Sequence, residues 1–179
     1  YEQFLKTYEL ARNEGFTNIN VDLMSGLPHQ SAESFADTLQ RVIRLKPEHI
    51  SAYSLIIEKG TPFYEKYGVG KCMEDRLPDE ETERQMYYDT KKILEKAGYY
   101  RYEISNYAQP GFESKHNLGY WHDVPYVGLG AAAHSYDGIM RYENCSDVTE
   151  YIRLVSSGDD PSSQEEASDM NIRIEEYAF

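Results

Sequence analysis

The apolar positions along the chain change period several times. Near the start, Phe4, Leu5, Tyr8 and Ala11 recur at helical spacing, and Gly15 follows as a stop. Residues 19–24 then alternate: Ile19, Val21 and Leu23 share one side, and Asn20, Asp22 and Met24 share the other. That period predicts a strand. Gly26-Leu27-Pro28 breaks it. Phe35, Leu39, Val42 and Ile43 fall at i, i+4, i+7 and i+8, one face of a helix that Lys46-Pro47 ends. Residues 49–57 read as a second strand, apolar on both faces as buried parallel strands are. Helix, strand, helix, strand is the repeating unit of a parallel barrel or a doubly wound sheet, and the crossover rule makes the two strands parallel neighbours or near neighbours.

The second half is less regular. Asp79 caps a long helix after Pro78, with Glu80, Glu81 and Glu83 at its positive end. Met86, Thr90, Ile93, Leu94 and Ala97 form its buried stripe, and Gly98 stops it. Residues 99–105 predict a strand, and residues 126–129 a short one running into Gly130-Ala131-Ala132-Ala133. Small residues there allow close backbone approach, either to a ligand or to another chain segment. Residues 147–155 predict a short helix. The polar run Ser156-Ser157-Gly158-Asp159-Asp160-Pro161-Ser162-Ser163 reads as a linker, with a domain boundary near residue 156. Residues 171–179 begin a new amphipathic segment. A chain that starts without methionine inside a helical pattern and stops there is expected to be an internal piece of a longer protein.

Charge narrows the partners. The net charge is −13, from 31 acidic and 18 basic residues. Such a surface repels phosphate backbones and anionic membranes, which disfavours DNA or other nucleic acid and membrane insertion and leaves peripheral contact as the membrane role. No apolar run reaches the ~18 residues of a membrane span, and no signal peptide is visible. Two distant cysteines, Cys72 and Cys145, favour a reducing compartment, so a cytoplasmic protein is expected. Seventeen tyrosines are the unusual count. They suit either a core or the walls of a site for a flat aromatic ligand.

Candidate chemistry lies in three places. Asp22 sits near the carboxyl end of an otherwise apolar strand, where α/β folds place ligands. A carboxylate there binds a ligand, such as ribose hydroxyls, or pairs with a basic neighbour. Lys115-His116-Asn117-Leu118-Gly119-Tyr120-Trp121-His122 holds two histidines, an amide and the lone tryptophan on what reads as a loop. Imidazole ligates metals and haem iron, and it also simply hydrogen-bonds. His134, after the glycine-rich turn, carries the same two readings. The cysteines and five histidines offer no zinc spacing, and no nucleophilic triad order, P-loop or GxGxxG stands out.

The residues also resemble a known family. Asn20-Val21-Asp22-Leu23-Met24-Ser25-Gly26-Leu27-Pro28 resembles the NVDLxxGLP segment of radical S-adenosylmethionine (SAM) proteins related to oxygen-independent coproporphyrinogen III oxidase. The likeness continues through His49-Ile50-Ser51-Ala52-Tyr53-Ser54-Leu55, Gly60-Thr61-Pro62, Tyr102-Glu103-Ile104-Ser105-Asn106-Tyr107-Ala108, His116-Asn117-Leu118-Gly119-Tyr120-Trp121, and Gly128-Leu129-Gly130-Ala131-Ala132-Ala133-His134-Ser135-Tyr136. The motifs keep the family's order and cover roughly residues 1–155. The HNxxYW string resembles the HemW-type haem chaperone branch more than the oxidase branch.

The resemblance implies an α/β fold: the C-terminal part of a partial (β/α)₆ radical SAM barrel, of TIM-like kind, plus an α+β extension, ending before a C-terminal helical domain. Residues 1–70 would be the last barrel strands and helices. Residues 71–155 would be the extension, and 156–179 a linker and the start of the next domain. It implies Asp22 as the carboxylate on the SAM ribose and, by a looser match, Ile56 near SAM. It implies His116, Asn117, Tyr120 and Trp121 as a haem-binding string, with His134 toward haem or SAM. The cofactors implied for the whole protein are SAM and a [4Fe-4S] cluster, with haem as a further ligand. No CxxxCxxC is present, so no cluster ligand and no catalytic residue is expected here, and residues 1–179 alone are expected to be inactive. Three functions remain open. One is a haem chaperone that passes haem to acceptor proteins. Another is a coproporphyrinogen oxidase that decarboxylates propionate side chains in porphyrin biosynthesis. The last is a non-catalytic acidic α/β module.

Overall fold

The structure, a computed structural model, describes residues 1–167. The amphipathic segment expected over 171–179 lies outside the described residues. The chain divides into two compact units, Tyr1–Glu113 and Ser114–Phe179.

The first unit opens with helix α1 (Glu2–Asn13), strand β1 (Asn20–Ser25), helix α2 (Ala32–Leu45) and strand β2 (His49–Ser54). The alternation expected for residues 19–24 is present, and β1 pairs with β2 in parallel, Asn20 opposite His49 and Asp22 opposite Ser51. A capping box at Ser31 and Ser34 starts α2, and Lys46 ends it in the left-handed region at φ 54° before Pro47. A short helix α3 (Pro62–Tyr67) follows, with Thr61 as its cap and Pro62 in its first turn. Helix α4 (Glu80–Lys96) starts at Asp79 as expected.

Two expectations change here. Strand β2 ends at Ser54 rather than residue 57, and it is not apolar on both faces. Its residues alternate: Ile50 packs inward, while His49, Ser51 and Tyr53 share the face of Asn20, Asp22 and Met24. The strand expected over 99–105 is a tight hairpin instead, β3 (Tyr100–Arg101) and β4 (Asn106–Ala108). Strand β4 lies antiparallel to both β2 and β3, giving the order β1-β2-β4-β3. The turn falls in the expected strand because Ser105 N donates to Glu103 Oε1 at 3.1 Å, a local bond that competes with the ladder.

The core gathers Tyr8, Val21, Phe35, Leu39, Val42, Ile50, Met86, Leu94, Tyr99 and Tyr107. It fills one side of the sheet, against α2 and α4. A charge-assisted cluster ties α1 to the head of β2: Arg12 Nη2 lies 2.8 Å from Glu48 Oε2, and Glu48 also accepts from Ile19 N at 2.9 Å.

The second unit holds helix α5 (Lys115–Trp121), strands β5 (His134–Tyr136) and β6 (Met140–Asn144), helix α6 (Val148–Ser157) and strand β7 (Ser162–Ala167). Strands β5, β6 and β7 form an antiparallel sheet in that order. The stretch read as a linker contains the end of α6 and the first residues of β7. Residues 126–129 do not form the expected strand. They contribute a single bridge, Tyr126 to Tyr136, because Gly128 N turns to the Ser135 hydroxyl at 2.9 Å instead of continuing a ladder.

The cap of α4 makes a pH prediction. Hydrogen bonds from Thr82 hold the Asp79 carboxyl below its ordinary value of 3.8. A depressed carboxyl contributes stability above its unfolded pKa and loses it as pH falls through the folded value. Helical ellipticity is therefore expected to drop below about pH 4, and Asp79→Asn, which still caps without titrating, to flatten that part of the profile. An identical acid profile in the variant would contradict this role.

Candidate functional site

Two groups of residues carry chemistry, one in each unit. In the first unit the open sheet face is polar. Asn20 Nδ2 lies 2.7 Å from Asp22 Oδ1, and Asn20 Oδ1 lies 2.7 Å from His49 Nδ1. The other ring nitrogen, His49 Nε2, lies 2.7 Å from the Tyr102 hydroxyl. Ser51 joins through its hydroxyl, 3.1 Å from Asn20 Nδ2. His49 is only 6% exposed. Burial pushes its pKa down against the opposing pull of Asp22 and Glu103, so the neutral ring is favoured.

Asp22 itself is exposed and makes no ion pair among the described residues; an amide, not a cation, holds it. It also borders a cavity of about 420 Å³ that includes Leu23, Thr38 and Arg41. One oxygen is bonded to Asn20. An ionised carboxylate offers about four acceptor sites, so capacity remains for a vicinal diol. Ile56 lies past the end of β2 and is 77% exposed. Buried beside Ser51, Asn106 leaves its Oδ1 without a partner among the described residues.

In the second unit the HNxxYW string is helical, not a loop. Ser114 caps it by accepting from Asn117 N at 3.3 Å. The single turn of apolar spacing and the central Gly119 hide that helix from periodicity. Helical geometry sorts the string into two ridges, His116 with Tyr120 and Asn117 with Trp121. His116 and Tyr120 meet edge to face at 4.7 Å, and Tyr120 meets Tyr126 the same way at 4.7 Å. Tyr126 continues to Tyr136 at 6.3 Å. His116, Tyr120 and Trp121 are all exposed. His134 begins β5, and its alternation puts it on the Tyr136 side of the strand.

The glycine-rich turn approaches its own chain. A Cβ on Gly128 would lie 2.1 Å from the His134 carbonyl oxygen. Asn144 grips the turn, donating from Nδ2 to Gly130 O at 2.9 Å and from N to Ala133 O at 2.9 Å.

Sequence reading missed Tyr126 and the polar row of Asn20, His49 and Tyr102. The signal for the row was available: Asn20 and Asp22 share a phase with His49 and Ser51 once the two strands are parallel and in register.

Among the described residues no group of three or more His, Cys, Asp or Glu could hold a metal ion, and no helix is long and apolar enough to cross a membrane. With two cysteines, one in each unit, the chain does not fit a three-cysteine [4Fe-4S] site.

No family model matches the chain. Curated relatives do. A protein of Bacillus subtilis named heme chaperone HemW is 40% identical over 173 residues, 97% of this chain and 45% of that one. Its namesake in Lactococcus lactis is 37% identical, over 99% of this chain and 45% of the relative. That of Escherichia coli is 40% identical over 126 residues, 70% of this chain and 32% of the relative. The chain thus spans about half the length of the first two relatives. Among solved structures, the radical SAM coproporphyrinogen III oxidase HemN of Escherichia coli matches with a TM-score of 0.74, covering 99% of this chain and 43% of the other. At 24% identity that likeness shows the fold, a radical SAM fold of mixed α and β elements. Together with the ordered motifs, these relatives support the HemW-type branch of the radical SAM, coproporphyrinogen-oxidase-like group for this chain.

Proposed function

We propose that the chain is the haem-facing and ribose-binding portion of a cytoplasmic radical SAM haem chaperone, which holds haem and passes it to acceptor proteins. In this reading the parallel pair of β1 and β2 belongs to a partial (β/α)₆ barrel, and the second unit belongs to its α+β extension. The observation that carries the reading is the exposed His116 imidazole, braced on Tyr120 and continued through Tyr126. An imidazole beside a run of edge-packed rings offers an axial nitrogen next to apolar aromatic surface, the two kinds of contact a metalloporphyrin uses. Trp121, Val124, Val127 and Leu129 add exposed apolar surface in the same unit.

SAM, when bound with a reduced [4Fe-4S] cluster, supplies one-electron chemistry. This chain's own contribution is narrower. Asp22 accepts from a ribose diol, and no step of the redox chemistry falls to a residue described here. The oxidase reading has a likeness of fold at 24% identity behind it, whereas the relatives compared above at 37–40% identity are named as haem chaperones.

Haem titration of the whole protein, followed by the Soret band, tests the reading. His116 is exposed, so His116→Ala is expected to leave the fold intact. It should weaken haem binding by about tenfold or more, since even supporting residues of metal sites act on that scale. Equal affinity and an unchanged Soret band in the variant would remove the support for haem ligation by this string.

A further inference from the structure

The polar row on the first unit's sheet has a defined direction. A carboxylate oxygen accepts, and the Asn20 atom 2.7 Å from Asp22 Oδ1 is the amide nitrogen, which donates to it. Asn20 Oδ1 therefore faces His49 Nδ1 at 2.7 Å and accepts from it, which puts the ring proton on Nδ1. The neutral ring then accepts at Nε2, and the Tyr102 hydroxyl, 2.7 Å away, donates to it. Each bond fixes the orientation of the next group. Ser51, buried between the strands, bonds the same amide. The row ends at Asp22 Oδ1 and leaves Oδ2 without a protein donor among the described residues.

We propose that Asn20 and His49 are positioning residues: they lock the Asp22 carboxylate in the rotamer that receives the two hydroxyls of a nucleoside ribose. The proposal rests on the reading of Asp22 as a ribose carboxylate. An exposed aspartate samples several rotamers, and selecting one before binding removes that entropy from the cost of recognition. The row is suited to that task because it runs from exposed Asp22 back to buried His49 and Ser51. Asp22 and Glu103 face the ring as charges, and neither makes a hydrogen bond to it.

The test compares the whole protein's affinity for S-adenosylhomocysteine with its affinity for the 2′-deoxyribose analogue, by calorimetry. Asn20→Leu and His49→Phe should weaken the ribose ligand by about 3- to 10-fold, the scale of one ordinary hydrogen bond. They should weaken the deoxy analogue far less, so discrimination between the two shrinks. His49→Asn keeps a donor toward Asn20 Oδ1 and should restore most of it. Nitrogen-15 spectra of the unmodified protein should show His49 neutral with its proton on Nδ1. Equal weakening of both ligands would mean a structural role and overturn the proposal. So would undiminished ribose affinity in Asn20→Leu alongside loss in Asp22→Asn, or a wild-type ring protonated on Nε2. If Asp22→Asn itself keeps full affinity, the ribose reading fails first and the proposal falls with it.

Discussion

Phe35→Ala is expected to destabilise the first unit by about 3–5 kcal/mol, the usual cost of emptying an aromatic site in a closed core. Phe35 is 2% exposed and lies in one cluster with Val21, Leu39, Ile50 and Met86. Leu39 comes from α2 itself, the others from the strand pair and from α4, elements that cannot close on the void without bending the sheet. The denaturation midpoint should fall with little change in slope, because the folded state keeps its surface while the cavity lowers its stability. A loss under about 1 kcal/mol would mean that the core can collapse around the site, against the packing described here. Asp22→Asn, at an exposed position, should leave the midpoint nearly unmoved. The pair of variants separates what holds the sheet from what the sheet displays.

Gly128→Ala is expected to disrupt the second unit locally and to lower haem affinity without touching any haem-facing side chain. The added Cβ would lie 2.1 Å from the His134 carbonyl oxygen and 3.0 Å from Ala133 Cβ. The first obstacle is backbone, which no rotamer change can move aside. Forced separation breaks the reciprocal bonds between Tyr126 and Tyr136, 2.8 and 2.9 Å long, and the bond from Gly128 N to Ser135. Overpacking of this kind costs about 1–3 kcal/mol or more. Amide exchange at Tyr126 and Tyr136 should accelerate, and the Soret titration should weaken. Gly119→Ala is the contrasting control: its Cβ meets nothing nearer than Val124 at 3.8 Å. Inside α5 that methyl should stabilise by roughly 0.5–1 kcal/mol. Identical behaviour of the two variants would contradict the close approach at Gly128.

Helices α1, α2 and α4 were legible in the sequence because each has a long, single-phase apolar stripe and an explicit stop, whereas α3 was not predicted and α5 was read as a loop. Phe35, Leu39 and Val42 are one such stripe, and Lys46-Pro47 one such stop. Where elements run to two or three residues, periodicity has too few repeats to report. The hairpin of Tyr100–Arg101 and Asn106–Ala108 was lost for that reason. Its turn is also made by a side-chain bond, Ser105 to Glu103, that no period records. The site divides the same way. Asp22 and the HNxxYW residues stood out as motifs. Tyr126 did not, and Tyr102 stood out only as a motif member, because its partner His49 lies 53 residues away and only folding closes that distance. His49 was visible as a motif member, yet its role depends on register with Asn20, which the alternating phases imply only after the two strands are paired.

The central claim is that the string on α5 presents an imidazole to haem iron. The most direct measurement is magnetic circular dichroism of the haem-loaded whole protein, comparing wild type with His116→Ala, His122→Ala and His134→Ala. The account predicts an imidazole-ligated spectrum that is lost in His116→Ala alone. An imidazole signature that survives His116→Ala and disappears with another histidine would contradict it.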